Sequence, residues 1–567
     1  MQQLTKRWQV ATRLRPEEAS DLHGYHPVLA QILYNRGFRT HEEARRFLEA
    51  IPDGDTDPRG MLGIAEAVDR ILAAIAAGEK IAVYGDYDAD GVTATALLTL
   101  ALQNLGADVL GYIPNRFDEG YGLNNEALET LRDQGIRLVI TVDCGIRSLE
   151  EAEHAKKIGL DLIISDHHHL GGELPDALAV INPKQPGDHY FEKELAGVGL
   201  AYKLAIALLQ KFNPRGLQPT TMLDLVAVGT VADLAPLVGE NRSLVRAGLE
   251  YIRRPQRQGL MSLIGAAGLS PEKISATDIG FGLGPRLNAA GRLDSAQASL
   301  NLLLTNDVFE AGQLAQQLEI QNRERQQITR DMQEHAEALA LAENPDALVL
   351  IAVHPEYNPG VVGLAASRLT DRFYRPAIVA QRGAEFTRGS CRSIPEFHIT
   401  HALDSCADLL EHHGGHAAAA GFTIQNDHLP EFIERMQAIA QKMLDGKDLR
   451  ATLNADIELP LSELKPEILK HLAWLQPTGY SNPQAAFVSR ELKVTKSRPV
   501  GKDGAHLKLT VTDGRITYDA IAFRQGHWQD QMPARVDLLY NFELNEFNGR
   551  TTLQLNVRDL KASGIAD

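Results

Sequence analysis

From residue 61 to 235, short apolar runs alternate with stretches of helical period, the signature of a parallel sheet with helices on its faces. The pattern predicts strands at 80–85, 109–113, 138–142, 161–165 and 178–181. Ahead of it, residues 1–60 read as a small helical leader. Thr40-His41-Glu42-Glu43 is a capping box opening a helix that carries Ala44, Phe47 and Leu48, and the polar run Asp53–Pro58 suits a linker. Residues 236–345 are mostly helical, with a glycine-rich turn at Phe281–Pro285. Within them, 307–342 reads as one helix of roughly 50 Å. Its middle, Gln321–Asp331, is polar nearly all round, so it must bridge domains rather than pack within one. A second α/β domain, 346–449, opens with a strand at 348–353. From 450 to 567, short β-like runs broken by Asp503-Gly504, Asp513-Gly514 and Asn548-Gly549 predict an antiparallel barrel of OB type.

Composition narrows the class. At 567 residues there is material for about four domains and several cores. The first eight residues lack the apolar core of a signal peptide, and no apolar run is long enough for a bilayer, so no membrane partner is expected. Cys144, Cys391 and Cys406 are odd in number and widely spaced, which excludes a disulfide framework or a zinc pattern and makes the cytoplasm the expected location. A net charge of −17 excludes a protein that coats nucleic acid non-specifically. It leaves room for a nucleic-acid enzyme whose acidity is partly metal ligands. The 450–567 segment is locally basic, with Lys493, Lys496, Arg498, Lys502, Lys508, Arg515 and Arg524 beside Phe487, Tyr518, Phe523 and Trp528 for stacking, which suits holding single strands without sequence preference.

The chemistry concentrates at the ends of the predicted strands. Asp86, Asp88 and Asp90 follow the first, with Gly91 allowing a tight turn; Asp143 follows the strand at 138–142; Asp166 follows that at 161–165 and is itself followed by His167, His168 and His169. Asp233 ends the apolar helical stretch Thr221–Ala232. In open α/β sheets ligands bind beyond the carboxyl ends of the strands, so these groups converge on one crevice. Carboxylates so crowded repel one another unless a cation sits between them, and oxygen-rich sites suit magnesium or manganese. Each residue alone has a plainer reading: Asp143 could cap the helix near Ser148, Asp233 a turn, and a single histidine could be an ordinary hydrogen-bonded one. Their joint placement is what points to a metal site. Farther on, Gly389-Ser390-Cys391-Arg392 offers amides, a hydroxyl and a guanidinium for an oxyanion, and Gly414-Gly415 with His416 lets a substrate approach the backbone.

Asp88-x-Asp90, Val142-Asp143-Cys144-Gly145, Asp166-His167-His168 and Gly229-Thr-Val-Ala-Asp233 resemble the four motifs of the DHH phosphoesterase superfamily. Tyr84-Gly-Asp-Tyr-Asp-Ala-Asp-Gly91 resembles its single-strand-specific DNA exonuclease branch, Leu283-Gly-Pro-Arg286-Leu-Asn288-Ala-Ala-Gly-Arg292 is a further match, and Gly389-Ser390-Cys391-Arg392-Ser393 and Gly414-Gly415-His416-Ala-Ala-Ala-Ala-Gly421 resemble the DHH-associated domain. The resemblance implies a parallel-sheet catalytic domain at 61–235, a long connecting helix, a DHH-associated α/β domain and an OB-like barrel. It implies two divalent cations, Mn²⁺ or Mg²⁺: one held by Asp86, Asp88 and Asp143, the other by Asp90, Asp143, His167 and Asp233. His168 would touch the scissile phosphate, Asp166 would orient the histidines, and Arg116, Arg286, Ser390, Arg392 and His416 would bind strand phosphates. The implied activity is 5′-to-3′ hydrolysis of single-stranded DNA to 5′-mononucleotides in repair and recombination. A single-strand DNA-binding protein and a RecQ-type helicase are the partners to expect. One departure is Tyr84, where the pyrophosphatase and oligoribonuclease branches carry a histidine; Asp86 is its expected substitute. Another DHH phosphoesterase, acting on short RNA, cyclic dinucleotides or pyrophosphate, and a non-catalytic binder remain the alternatives.

Overall fold

The strand Lys80–Gly85 is shielded on both faces: Ile81, Ala82, Val83 and Tyr84 have no exposed surface. Apolar residues at consecutive positions require exactly such two-sided cover, which a parallel sheet between helices supplies. The computed structural model describes residues 6–15, 17–18, 20–115, 122–547 and 549–564, so Arg116 and Asn548 lie outside the described residues. In it, Lys80–Gly85 is second in a five-stranded sheet whose order is Asp108–Tyr112, Lys80–Gly85, Ile136–Val142, Asp161–Ser165 and Ala179–Ile181, every pair parallel. The chain order reverses between Lys80–Gly85 and Ile136–Val142, which opens a crevice at their carboxyl ends. Asp86 and Asp143 are the residues that follow those two strands.

Helices Ala89–Leu105, Gly197–Lys211 and Leu223–Ala232 are buried along almost their whole length and pack on one another beside this sheet. The 36-residue helix Val308–Glu343 then leaves the catalytic unit. Its first half packs on the helices before it, and its second half on Val362–Phe373 and the strand Leu350–His354 of the next unit. The middle, polar nearly all round in sequence, is sided in the structure. Asn322 and Thr329 are buried, with Arg325 half-buried between them, because that face looks into the junction between the two units. The second unit is a five-stranded sheet in the order Leu410–His416, Ala419–Gln425, Phe386–Arg392, Ala377–Arg382, Leu350–His354, parallel only in its last pair.

Toward the C-terminus, Phe487–Val500, His506–Thr512, Thr517–Ala522, Arg550–Ala562 and Arg535–Phe547 pair in that order, and the last pairs back with the first, closing a five-stranded barrel. Its core is shared with the start of the chain: Leu29, Ile32, Leu33 and Phe47 pack with Leu461, Ile468 and Phe487. Arg7–Val10 also pairs, parallel, with Thr452–Ala455. Arg242 ties this assembly to the catalytic unit. It is 1% exposed, and its guanidinium donates to the carbonyls of Phe47, Trp474, Leu475, Gln476 and Pro477 at 2.8–3.1 Å.

Candidate metal centre and strand-binding cleft

The acidic loop is built by backbone before side chains enter. Asp88 caps helix Ala89–Leu105, its Oδ1 accepting from the amides of Asp90 at 2.9 Å and Gly91 at 3.1 Å. A Cβ on Gly91 would stand 2.5 Å from the Asp86 carbonyl oxygen, so only glycine lets the helix fold back on the loop. Asp90, turned inward, receives the amides of Gly197 at 2.7 Å and Val198 at 2.8 Å, the first turn of Gly197–Lys211, where the helix dipole favours an anion. Asp143 takes a left-handed backbone, φ +63°, which costs a non-glycine residue about 1–3 kcal/mol and is found where a side chain must be aimed. Gly197 lets it in: a Cβ there would stand 2.6 Å from that of Asp143.

His167 Nε2 is the centre of the cluster. It lies 3.1 Å from Asp143 Oδ1, 3.8 Å from Asp233 Oδ2 and 4.0 Å from Asp90 Oδ2. Ligand atoms of Asp86, Asp88 and Asp143, of Asp90, His167 and Asp233, and of Asp143, His167 and His168 each lie within 4.8 Å of one another. Burial holds the His167 imidazole down at about 3, so it is neutral and its lone pair is available. The carboxylates go the other way. Burial and then Asp88 push Asp90 up to about 7; burial and then Asp90 push Asp233 up to about 9; burial and then Asp90, Asp88, Asp86 and Asp233 push Asp143 well above the usual range. Asp143 Oδ1 and His167 Nε2 are buried and make no hydrogen bond. Buried polar atoms are rarely left so, and one neutral imidazole among carboxylates is a donor set that fits Mn²⁺ or Mg²⁺.

Asp166 stands apart from the ligands because both its oxygens are taken. Oδ1 accepts from His168 Nδ1 at 2.7 Å and from the His168 amide at 3.1 Å, and Oδ2 accepts from the Ile146 amide at 2.9 Å. Burial alone would lower His168, but the hydrogen bond and charge of Asp166, with Asp86 and Asp88, outweigh it and raise its pKa. The Tyr84 hydroxyl donates to the Gly122 carbonyl at 2.9 Å, whereas Asp86 is grouped with Asp88 and Asp143.

The expected phosphate contacts divide. Ser390 and Arg392 lie together, the guanidinium donating to the hydroxyl at 3.0 Å and to the Cys391 carbonyl at 2.8 Å, and no described carboxylate pairs with it. Both abut Gly363, where a Cβ would stand 2.9 Å from each. His416, from the second unit, faces the catalytic unit with its ring 6.1 Å from that of His169, and is lowered by burial and then by Arg147, His169 and His168. Arg286 is held differently. It donates to Glu319 at 2.7 Å and to the Gly282 carbonyl at 2.7 Å, so its charge is spent on the long helix. Its neighbour Asn288 matters more than its sequence context announced: its Oδ1 accepts from the Ala89 amide at 2.6 Å, pinning the acidic loop from outside. Gly291 closes on the Tyr87 carbonyl in the same contact. The amides of Gly197 and Val198 were also missed, since an apolar Ala-Gly-Val-Gly run carries no acidic or basic signal.

The DHH family N-terminal domain model matches residues 80–230, the DHHA1 domain model 346–442 and the RecJ OB domain model 455–559. The single-stranded-DNA-specific exonuclease RecJ of Bacillus subtilis is 41% identical over 541 residues, 95% of this chain and 68% of that protein. That of Salmonella typhimurium is 37% identical over 577 residues, 97% of this chain and 98% of its own length. The chain belongs to the RecJ family. The fold agrees: the crystal structure of RecJ in complex with Mn²⁺ from Thermus thermophilus superposes with a TM-score of 0.84 at 32% identity, covering 99% of this chain and 81% of that one. The α/β class and the C-terminal barrel read from the sequence are thus those of the RecJ family.

Proposed function

We propose that this chain is a divalent-metal-dependent exonuclease that hydrolyses single-stranded DNA from the 5′ end, releasing 5′-mononucleotides, in repair and recombination. The observation that carries the reading is the buried cluster in which one neutral imidazole nitrogen faces three carboxylates, in a chain of the RecJ family. Asp86, Asp88 and Asp143 would hold one cation and Asp90, Asp143, His167 and Asp233 the other. Cations held by these residues would supply a water of lowered pKa and offset charge on the phosphate. The side chains do the rest. Asp166 keeps Nδ1 of His168 protonated and turns the ring so that its far nitrogen meets a phosphate oxygen. Gly197 and Val198 hold Asp90 in place and favour its ionised form against burial. Ser390, Arg392 and His416, on the opposite wall, take the phosphates of the strand, and Arg392 can offer its fork to a terminal 5′ phosphate.

The barrel supplies affinity for long strands, and a single-strand DNA-binding protein and a RecQ-type helicase are the partners we assign. The location we assign is the cytoplasm, which three buried free cysteines support. Among the described residues no helix is long and apolar enough to cross a membrane. The test is digestion of 5′- and 3′-labelled single and double strands with Mn²⁺, Mg²⁺ or EDTA. The proposal expects mononucleotides from the 5′ end of single strands and none in EDTA. Cleavage confined to dinucleotides or pyrophosphate, or binding without cleavage, would refute it.

A further inference from the structure

Consecutive side chains of an extended strand point to opposite faces, yet the rings of His167 and His168 lie together, their centroids 4.6 Å apart and tilted by 60°. One carries Nε2 3.1 Å from Asp143; the other has Nδ1 on Asp166 at 2.7 Å. The peptide joining them is therefore turned away from the extended form. The backbone ladder of the sheet reaches as far as Asp166, whose amide donates to the Ile181 carbonyl at 3.0 Å. Beyond it, side chains take over, from the three residues that follow the neighbouring strand Ala179–Ile181. Lys184 Nζ donates to the His167 carbonyl at 2.8 Å, and Asn182 Nδ2 to the His168 carbonyl at 3.0 Å.

Both donors are fixed before they act. Asn182 has no exposed surface, and an amide so buried is costly unless both its ends are bonded. Its Oδ1 accepts from the Lys184 amide at 2.8 Å, which completes the pair and shapes the turn to Lys184. The Lys184 side chain is only 13% exposed and pairs with Glu194 at 3.1 Å. An ammonium spent on a carbonyl and a carboxylate is placed to hold backbone rather than to attract a strand. Pro183, between the two, is held as well: its carbonyl accepts from Lys193 Nζ at 2.7 Å, and Lys193 pairs with buried Asp188 at 3.1 Å. Glu194 lies three residues before Gly197, whose amide holds Asp90. The stretch 182–198 thus reaches Asp90, His167 and His168 from outside.

We propose that Asn182 and Lys184 are positioning residues for the two histidines. Lys184, through the His167 carbonyl, sets the imidazole that faces Asp90, Asp143 and Asp233. Asn182, through the His168 carbonyl, sets the imidazole that meets the phosphate. Adjacent rings can then serve different partners. The inference rests on the nuclease reading above and deepens it.

The test uses full-length wild type, Lys184→Met, Lys184→Arg and Asn182→Asp. Mn²⁺ is titrated calorimetrically into the DNA-free proteins, and cleavage of a 5′-phosphorylated 20-mer is followed at steady state at several salt concentrations. Lys184→Met should weaken Mn²⁺ binding about tenfold, and Lys184→Arg, which keeps a donor, should recover most of the loss. Asn182→Asp keeps the acceptor for the Lys184 amide and loses only the donor to His168. It should lower kcat about 10–100-fold at saturating Mn²⁺, with Mn²⁺ affinity within about twofold of wild type. The Lys184 variants keep the test decisive if melting in EDTA shows Asn182→Asp unfolded. A Lys184→Met protein with unchanged Mn²⁺ affinity, but a higher KM and a shallower salt slope, would make Lys184 a strand contact and overturn the inference. So would losses of kcat and Mn²⁺ affinity in the same proportion in Lys184→Met and Asn182→Asp, since a loosened loop does not separate the histidines. A wild type that binds no Mn²⁺ would overturn both readings. One that binds Mn²⁺ through Lys184 but cuts no strand would remove the nuclease reading alone. Cleavage by a wild type whose variants match it in Mn²⁺ affinity and kcat would remove the positioning role alone.

Discussion

Replacing Asp143 by Asn should stabilise the metal-free protein while ending turnover. The neighbouring carboxylate shows what burial in this site costs a charge. Asp90 is fully buried and raised from 3.8 to about 7, and each unit is about 1.4 kcal/mol, so ionising such a group in this site costs about 4 kcal/mol. Asp143 lies at the same depth and is raised by burial and by four carboxylates. Neutralising it should therefore stabilise the metal-free protein, and Asn also tolerates its left-handed backbone better than most residues. The sign with pH is fixed by proton counting. Between pH 4 and 7 for Asp90, and up to 9 for Asp233, the native state holds protons that the unfolded chain has lost, so stability falls as pH rises. Wild type and Asp143→Asn should thus melt together near pH 4. At pH 8, in EDTA, the mutant should melt higher than wild type. Added Mn²⁺ should raise the wild-type melting point and leave the mutant nearly unmoved. A mutant less stable than wild type at pH 8, or a difference that does not grow with pH, would refute the reasoning.

Arg242→Met should cost about 3–5 kcal/mol, because five carbonyls lose their donor, and limited proteolysis should then release the barrel with the N-terminal helices still attached. Asn288→Ala should weaken Mn²⁺ binding about 10–100-fold in a metal titration although it touches no ligand, since it frees the Ala89 amide and the loop beyond it. Arg392→Ala should cut activity on 5′-phosphorylated strands and narrow their advantage over 5′-hydroxyl strands; an equal loss on both, in steady-state assays of matched oligonucleotides, would make it a general strand contact.

What was legible in the sequence is what local pattern encodes. The β-rich runs ending in Asp86, Asp143 and Asp166 declare both the parallel sheet and the crevice, because strand and ligand are adjacent in the chain. Partnerships across long separations were not legible. Arg286 looked like a phosphate ligand, yet Glu319, 33 residues on, takes its charge. The polar run at 321–331 carries no apolar face, so nothing local announced that Asn322 and Thr329 would be buried in a junction. The leader helices gave no sign that their apolar faces complete the core of a barrel more than 400 positions away, since amphipathicity states that a face is covered and not by what.

The account's central claim is that one buried carboxylate, Asp143, joins two cation sites. Diffraction from crystals soaked in Mn²⁺, measured at the manganese absorption edge, tests it most directly. Two anomalous peaks are predicted, one contacting Asp86, Asp88 and Asp143, the other Asp90, Asp143, His167 and Asp233. A single peak, or peaks that leave Asp143 uncoordinated, would contradict the account.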